Sequence, residues 1–148
     1  MVDPLSSQHD ARLDAAISRH LGSEGPLLPI LHDIQAEFGC IDDHATRRVA
    51  AALNLSRAEV HGVVSFYHDF RERAEARPIL KLCRAEACQA RGVEALVAGA
   101  QARAAGRVAI ETVYCLGLCS VGPAAMIGGK VHARLDAARL ADLIEAQA

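Results

Sequence analysis

YCLGLCSVGPAAMIGG, residues 114–129, is the stretch that decides the fold. It carries Cys115 and Cys119 in a Gly-rich loop that runs directly into a short apolar strand. A single pair of thiols is compatible with a redox couple, a metal site or two buried side chains. The interpretation therefore depends on a second pair, and Cys83 with Cys88 supplies one with the spacing C-x4-C.

The residues around both cysteine pairs predict a small α/β unit. Short apolar runs predict strands at 78–83 and 108–115, and a helical pattern fills residues 89–102 between them. The other predicted elements are a hairpin over 124–133, with Gly128-Gly129 as its two-residue turn, and a closing helix capped by Asp136. The resulting order is β-α-β-β-β-α, which is typical of two layers with helices packed against one sheet.

The two predicted strands bring the cysteine pairs together. Cys83 and Cys115 each end a strand, and Cys88 and Cys119 follow shortly after. If the two strands are neighbours, both pairs lie at the same edge of the sheet and four thiols converge. A four-thiolate metal site requires that arrangement.

Four interpretations of these thiols remain open at this point. They are compatible with ordinary buried side chains, because free cysteine packs like a small hydrophobe. Structural zinc admits C-x4-C, although tighter spacings are more typical, and an iron–sulfur cluster also takes four cysteines. The two-and-two spacing differs from that of plant-type ferredoxins, which have three ligands close together. A thiol–disulfide enzyme is disfavoured because no C-x-x-C is present.

The first half of the chain predicts a group of short helices. Apolar residues recur at helical spacing over residues 11–21, 27–38 and 49–53, and Gly39 suits the position after the second helix. A fourth helix begins at the capping box formed by Ser56 and Glu59. The charge-rich stretch RERAEARP, 71–78, resembles a linker. We therefore expect a helical region over residues 1–74 and an α/β domain over 75–148.

Composition excludes several classes of function. The chain of 148 residues has a formal net charge of −2, so it offers no basic field for nucleic acid. No apolar run approaches the roughly 20 residues of a membrane span, and the amino terminus does not resemble a secretory signal. We therefore expect a cytoplasmic location. Motifs of common catalytic sites, such as HExxH or a P-loop, are absent, so no autonomous active site is expected.

Two separate motifs resemble one known family. The C-x4-C pair followed by YCLGLCSVGPAAMIGGKVH, 114–132, is similar to the thioredoxin-like [2Fe–2S] ferredoxins, which include the 24-kilodalton-type subunit of NADH dehydrogenase (complex I). The helical half, LLPILHDIQAEFGCI at 27–41 and VAAALNLSRAEVHGVVSFYHDFR at 49–71, resembles the helical region that precedes that domain. The resemblance implies a helical bundle region followed by a thioredoxin-like ferredoxin domain.

The resemblance implies a cofactor and its ligands. By position, the four ligands of a [2Fe–2S] cluster fall on Cys83, Cys88, Cys115 and Cys119. The loop RAEA between the first two differs from the Gly-Thr-Ser type of sequence found in many relatives. Cys40 has no counterpart in the motif, and we expect it to be a packed thiol.

Within the family, NLSRAEVHGVVSFYHDFR, 54–71, most resembles the gamma subunit of NAD-dependent, molybdenum-containing formate dehydrogenase. That likeness implies a flavin subunit that binds FMN and NAD and carries its own iron–sulfur cluster, and a molybdenum-containing catalytic subunit. Complex I and NAD-reducing hydrogenases are the alternative hosts, and a zinc-stabilised interaction module is the alternative of a different class. We expect Phe66, Tyr67 and Phe70 in the helical region to contact the partner.

Overall fold

The computed structural model describes residues 4–147, with side chains from residue 7 onward. The chain divides into two compact units, Met1–Ala74 and Glu75–Ala148. Each unit has a hydrophobic core of its own, built mainly from Leu, Ile, Val and Ala. Burial of these aliphatic side chains supplies most of the driving force for folding each unit.

The first unit consists of four helices. They are α1 (Pro4–Ser18), α2 (Leu27–Phe38), α3 (Asp43–Leu53) and α4 (Arg57–Phe66). Their apolar stripes meet in one core, in which the fully buried side chains include Leu13, Ile30, Leu31, Ile34, Val49 and Val60. Helices this short depend on such packing, because isolated helices of similar length are marginal in water.

The signals at the helix ends are confirmed. Gly39 follows α2 with φ 79° and donates its backbone N–H to the carbonyl of Gln35. Ser56 and Glu59 form the expected capping box: the Glu59 N–H donates to the Ser56 hydroxyl at 3.2 Å, and the Ser56 N–H donates to the Glu59 carboxylate at 2.8 Å.

The first helix differs from the expected one. It begins at Pro4 rather than near residue 11, and it ends at Ser18 rather than Leu21. Apolar spacing places Leu21 on the buried stripe, but this residue lies beyond the helix with 48% of its surface exposed. The stripe therefore ends with Leu13 and Ile17, both of which are buried.

The second unit is built on a four-stranded mixed sheet. Its strands are β1 (Ile79–Cys83), β2 (Ala109–Val113), β3 (Ala125–Ile127) and β4 (Lys130–His132), in the spatial order β2-β1-β3-β4. Strand β1 pairs in parallel with β2 and antiparallel with β3, and β3 and β4 form the expected hairpin. The fold is thioredoxin-like, as the family resemblance implies.

Three helices accompany the sheet: α5 (Glu86–Ala90), α6 (Glu94–Ala104) and α7 (Ala137–Glu145). The prediction of a single helix over 89–102 is wrong, because Gly92 has φ 87° and interrupts the helical backbone between α5 and α6. A short 3₁₀ helix, Cys119–Val121, lies where the sequence predicts only a loop. The cap of the last helix is confirmed, since the Asp136 carboxylate accepts the Arg139 N–H at 2.8 Å.

None of the helices within residues 4–147 combines the length and the apolar character that crossing a membrane demands.

Candidate metal centre

The sheet register brings the two cysteine-bearing segments to one edge. Cys83, the last residue of β1, lies opposite Val113, the last residue of β2. The next residue, Arg84, donates its N–H to the Val113 carbonyl at 2.9 Å, and the Cys83 N–H donates to the Ala124 carbonyl at 2.9 Å. Because parallel strands end at the same edge of a sheet, Cys115 emerges close to Cys83.

The first pair of thiols is buried. Cys83 and Cys88 each have 2% of their surface exposed, and their thiols are hydrogen-bonded to each other. Burial raises the pKa of the Cys83 thiol, but hydrogen bonds outweigh it and lower that pKa overall. The donors are the backbone N–H groups of Ala85, Cys115 and Leu116 together with the Cys88 thiol. The site at Cys83 therefore favours a thiolate.

Cys88 lies in α5, a helix of five residues. A helix start by itself favours a thiolate, but other contacts outweigh that effect at Cys88. Burial raises the pKa of the Cys88 thiol, the neighbouring Cys83 raises it further, and one backbone N–H, from Ala124, lowers it by less. The pKa of the Cys88 thiol is thus raised, whereas that of its buried neighbour Cys83 is lowered.

The second pair of thiols is exposed and held by a loop. The sulfurs of Cys115 and Cys119 lie 3.6 Å apart, and the Gly117 N–H donates to the Cys115 sulfur at 3.3 Å. Cys115 and Gly117 both adopt positive φ, 96° and 76°, which turns the chain tightly around the sulfur. The hydrogen bond with Cys115 raises the pKa of the Cys119 thiol.

The four sulfurs form two pairs rather than one group. Within residues 7–147, no three cysteine sulfurs lie within 4.8 Å of one another. A tetrahedral zinc ion with Zn–S bonds of about 2.3 Å would hold all four sulfurs about 3.8 Å apart. A centre with two irons instead takes two thiolates on each iron. The donor set and its division into pairs therefore fit a binuclear cluster.

A glycine that the sequence analysis does not single out packs against the buried pair. An added Cβ on Gly122 would lie 3.0 Å from the Cys88 sulfur. This approach is tighter than nine in ten real Cβ contacts, so a larger residue would require the sulfur to move by a few tenths of an ångström. One sequence signal marks the position, namely the Gly-Pro dipeptide that follows the second cysteine pair.

The other residues named from the sequence lie elsewhere. Cys40 is half-buried in the first unit, as expected of a packed thiol. Of the three aromatic residues expected to contact a partner, Phe66 and Tyr67 are 74% and 43% exposed, whereas Phe70 is buried in the core of that unit. The expected aromatic surface is therefore reduced to two rings, which meet edge to face at 5.2 Å.

Comparison with known protein families decides the identity of the fold. Residues 13–148 match the model of the thioredoxin-like [2Fe-2S] ferredoxin family. The chain belongs to this family. The match covers nearly the whole chain, including the four cysteines at the sheet edge and most of the helical unit.

Relatives of this ferredoxin are subunits of larger oxidoreductases. A subunit of the NADH-quinone oxidoreductase of Rhizobium meliloti is 30% identical over 142 residues, which cover 90% of this chain and 84% of the relative. The HndA subunit of the NADP-reducing hydrogenase of Solidesulfovibrio fructosivorans is 30% identical over 74% of this chain and 69% of its own length. Both comparisons support a subunit of a multisubunit oxidoreductase.

A solved structure agrees with the sequence relatives. The NAD⁺-reducing [NiFe]-hydrogenase in its air-oxidised state contains a chain that is 31% identical, with a TM-score of 0.68 over 80% of this chain. The ferredoxin spans only 22% of that larger chain. The cofactor of the family is a [2Fe–2S] cluster, and this chain is an electron-transfer subunit that carries one.

Proposed function

We propose that this ferredoxin is the electron-transfer subunit of an NAD-dependent formate dehydrogenase, with Cys83, Cys88, Cys115 and Cys119 as the ligands of its cluster. The observation that carries the ligand assignment is the division of the four sulfurs into two close pairs at one sheet edge. A bound [2Fe–2S] cluster accepts and releases one electron. The chain's own residues hold it, shield one side of it and leave the other side accessible.

The two pairs have different tasks in this proposal. Cys83 and Cys88 are part of the hydrophobic core and anchor one iron away from water. The backbone N–H groups of Ala85, Cys115 and Leu116 stabilise negative charge on the buried sulfur of Cys83. Cys115 and Cys119 are exposed and face outward. Electrons therefore enter and leave on the side of the second pair.

The proposed electron partner is a flavin subunit that binds FMN and NAD and carries its own iron–sulfur cluster. A molybdenum-containing subunit of the same complex oxidises formate. Phe66 and Tyr67 are the proposed contact of the helical unit, because large exposed aromatic side chains are enriched where proteins bind one another. Tyr114, which precedes the second cysteine pair and is 77% exposed, offers a further contact beside the cluster.

The equivalent subunit of NADH-quinone oxidoreductase or of an NAD-reducing hydrogenase is the second candidate. It is favoured by the relatives described above, which belong to those two kinds of complex. The formate dehydrogenase assignment is supported by the residues NLSRAEVHGVVSFYHDFR at 54–71. A zinc-stabilised module is disfavoured, since one zinc ion would require all four sulfurs to be mutually close.

Purification of the tagged chain from its native cells, with its partners, tests the proposal. Metal, flavin and acid-labile sulfide analysis should give molybdenum and flavin in the complex, and two irons and two sulfides attributable to this chain. Formate should reduce its cluster, as followed by the EPR signal of the reduced state. A complex that lacks molybdenum and is reduced by NADH or hydrogen, but not by formate, would transfer the assignment to the second candidate.

The two exposed aromatics provide a separate test of the docking surface. Replacing Phe66 by Ser should weaken association with the flavin subunit while the cluster spectrum stays unchanged, because Phe66 and the four proposed ligands lie in different units. Leu21, also exposed in the first unit, offers the matched control Leu21→Ser, which should leave association intact. Equal effects of the two substitutions would contradict Phe66 as the contact.

A further inference from the structure

Two imidazoles and a carboxylate meet where α1 packs against α3. The ligand-capable atoms of His9, Asp10 and His44 all lie within 4.8 Å of one another, in the unit that contains none of the four cluster cysteines. His9 and Asp10 are adjacent on α1, and His44 lies in the first turn of α3. We propose that these three residues form a second metal site, for a divalent cation of the zinc type.

The carboxylate is already oriented toward this point. Its Oδ1 is 2.7 Å from Nε2 of His44, and its Oδ2 is held at 3.3 Å by Nη1 of Arg48. Arg48 is in turn neutralised by Asp14, whose Oδ2 lies 2.5 Å from Nη2. The guanidinium thus fixes one oxygen of Asp10 and leaves the other oxygen directed at the imidazole. Such a hydrogen-bonded neighbour, which orients a ligating carboxylate, is typical of metal sites.

His9 is the third proposed ligand. Its ring packs at 4.7 Å from that of Phe38 and at 6.1 Å from that of His44. The packing limits the positions of the ring without occupying both of its nitrogens. A cavity of about 240 Å³, lined by His9, Phe38, Cys40 and Asp42 among others, adjoins the cluster of ligands. There is therefore space for water to complete the coordination.

The donor types select the class of cation. Imidazole nitrogen suits zinc, nickel, copper and iron, whereas calcium and magnesium prefer oxygen ligands. Two histidines and one carboxylate, with water in the remaining position, form a ligand set that zinc commonly takes. A bound cation replaces the contact between Asp10 and His44 and links α1 to α3. It stabilises the helical unit, because the unfolded chain does not bring the three residues together.

Zinc titration into the cluster-loaded, full-length protein tests this site. Isothermal titration calorimetry measures binding, and the visible absorbance of the cluster is followed throughout to detect attack on the thiolates. We expect one zinc ion per chain to bind with no loss of absorbance, and the thermal transition of the helical unit to rise. His9→Gln and His44→Gln should each weaken binding by at least about tenfold. His61→Gln is the matched control, because His61 pairs with Glu72 outside the site.

Three results would overturn the proposal. The first is no binding at millimolar zinc by the wild-type protein. The second is binding that persists unchanged in both His9→Gln and His44→Gln, with circular dichroism confirming that the variants are folded. The third is zinc uptake that occurs only as the cluster absorbance disappears, which would place the metal on the cysteines.

Discussion

The two units of this ferredoxin are stabilised in different ways. In the helical unit, ion pairs connect helices around a hydrophobic core: Arg12 with Glu37 at 2.7 Å and Arg48 with Asp14 at 2.5 Å. A hydrogen bond of 2.8 Å also joins His20, just after α1, to Asp33 of α2. The α/β unit instead includes two of its proposed metal ligands, Cys83 and Cys88, in its hydrophobic core.

This difference shows where a cofactor contributes to folding. The helical unit buries its apolar side chains against one another and needs no cluster to complete its core. In the α/β unit, loss of the cluster leaves two buried thiols, one of them in a site that favours a thiolate. Binding of a cofactor to the folded state alone contributes to folding free energy. The stability of the second unit should therefore depend on the cluster, and that of the first should not.

The largest effect is expected from Cys83→Ser. The substitution removes a proposed ligand from the buried pair, so iron and sulfide content should fall close to zero. The free energy of unfolding of the second unit should decrease by at least about 2 kcal/mol. Hydrogen exchange of amides in β1 and β2 measures this loss, while amides in α2 and α3 report on the first unit. Equal loss of hydrogen-exchange protection in both units would contradict the expectation that only the second unit depends on the cluster.

A smaller effect is expected from Gly122→Ala. The new Cβ would lie 3.0 Å from the Cys88 sulfur, so the sulfur must move by a few tenths of an ångström. The EPR spectrum of the reduced cluster should change. Gly99→Ala in α6 is the matched control, because its Cβ meets no atom within 4 Å and alanine favours a helix. An unchanged spectrum in Gly122→Ala would show that Gly122 does not restrict the site.

Acid should weaken the helical unit through its carboxylates. The hydrogen bonds from His20 and then Arg19 lower the pKa of Asp33 below its ordinary value of 3.8. A lowered pKa in the folded state gives stability that is present above the unfolded value and is lost as the pH falls through the folded one. The difference in unfolding free energy between pH 7 and pH 3 should therefore be smaller in Asp33→Asn. Urea-dependent hydrogen exchange in α1 and α2 measures this difference. If the wild type and Asp33→Asn differ equally between pH 7 and pH 3, Asp33 does not contribute to the acid sensitivity of the helical unit.

The smallest effect is expected from Cys40→Ser. Cys40 is half-buried, and burial raises the pKa of its thiol, so it is a neutral packing group in the first unit. The cluster spectrum should be identical to that of the wild type, and stability should change by less than about 1 kcal/mol. Loss of the cluster in this variant, with Cys115→Ser retaining it, would contradict the ligand assignment.

Local signals are sufficient to predict the ends of several elements. Gly39, the Ser56–Glu59 capping box, the Gly128-Gly129 turn and Asp136 each act through hydrogen bonds or backbone angles within a few residues. Their effects do not depend on the rest of the fold, so the sequence alone identifies them. The convergence of the two cysteine-bearing segments is also predictable, because parallel strands end at one edge.

The errors concern element boundaries and contacts that the apolar pattern does not determine. Apolar periodicity continues through residue 102, but Gly92 at φ 87° separates α5 from α6 where the chain turns to cover the sheet. The apolar pattern predicts that β2 reaches Cys115, yet the strand ends at Val113 because Cys115 adopts φ 96°. The cluster of His9, Asp10 and His44 cannot be predicted from the sequence, because its members come together only when α1 packs on α3.

The parallel pairing of β1 with β2 has a consequence for how the protein matures. Cys88 follows Cys83 within one short turn, but Cys115 and Cys119 reach the same edge only after the crossover through α5 and α6 is complete. Pairing of this kind must close a long loop before its contacts are gained, so it forms late. Iron delivered to a nascent chain would find half of the proposed ligands. All four proposed ligands are therefore in place only after β1 and β2 have paired.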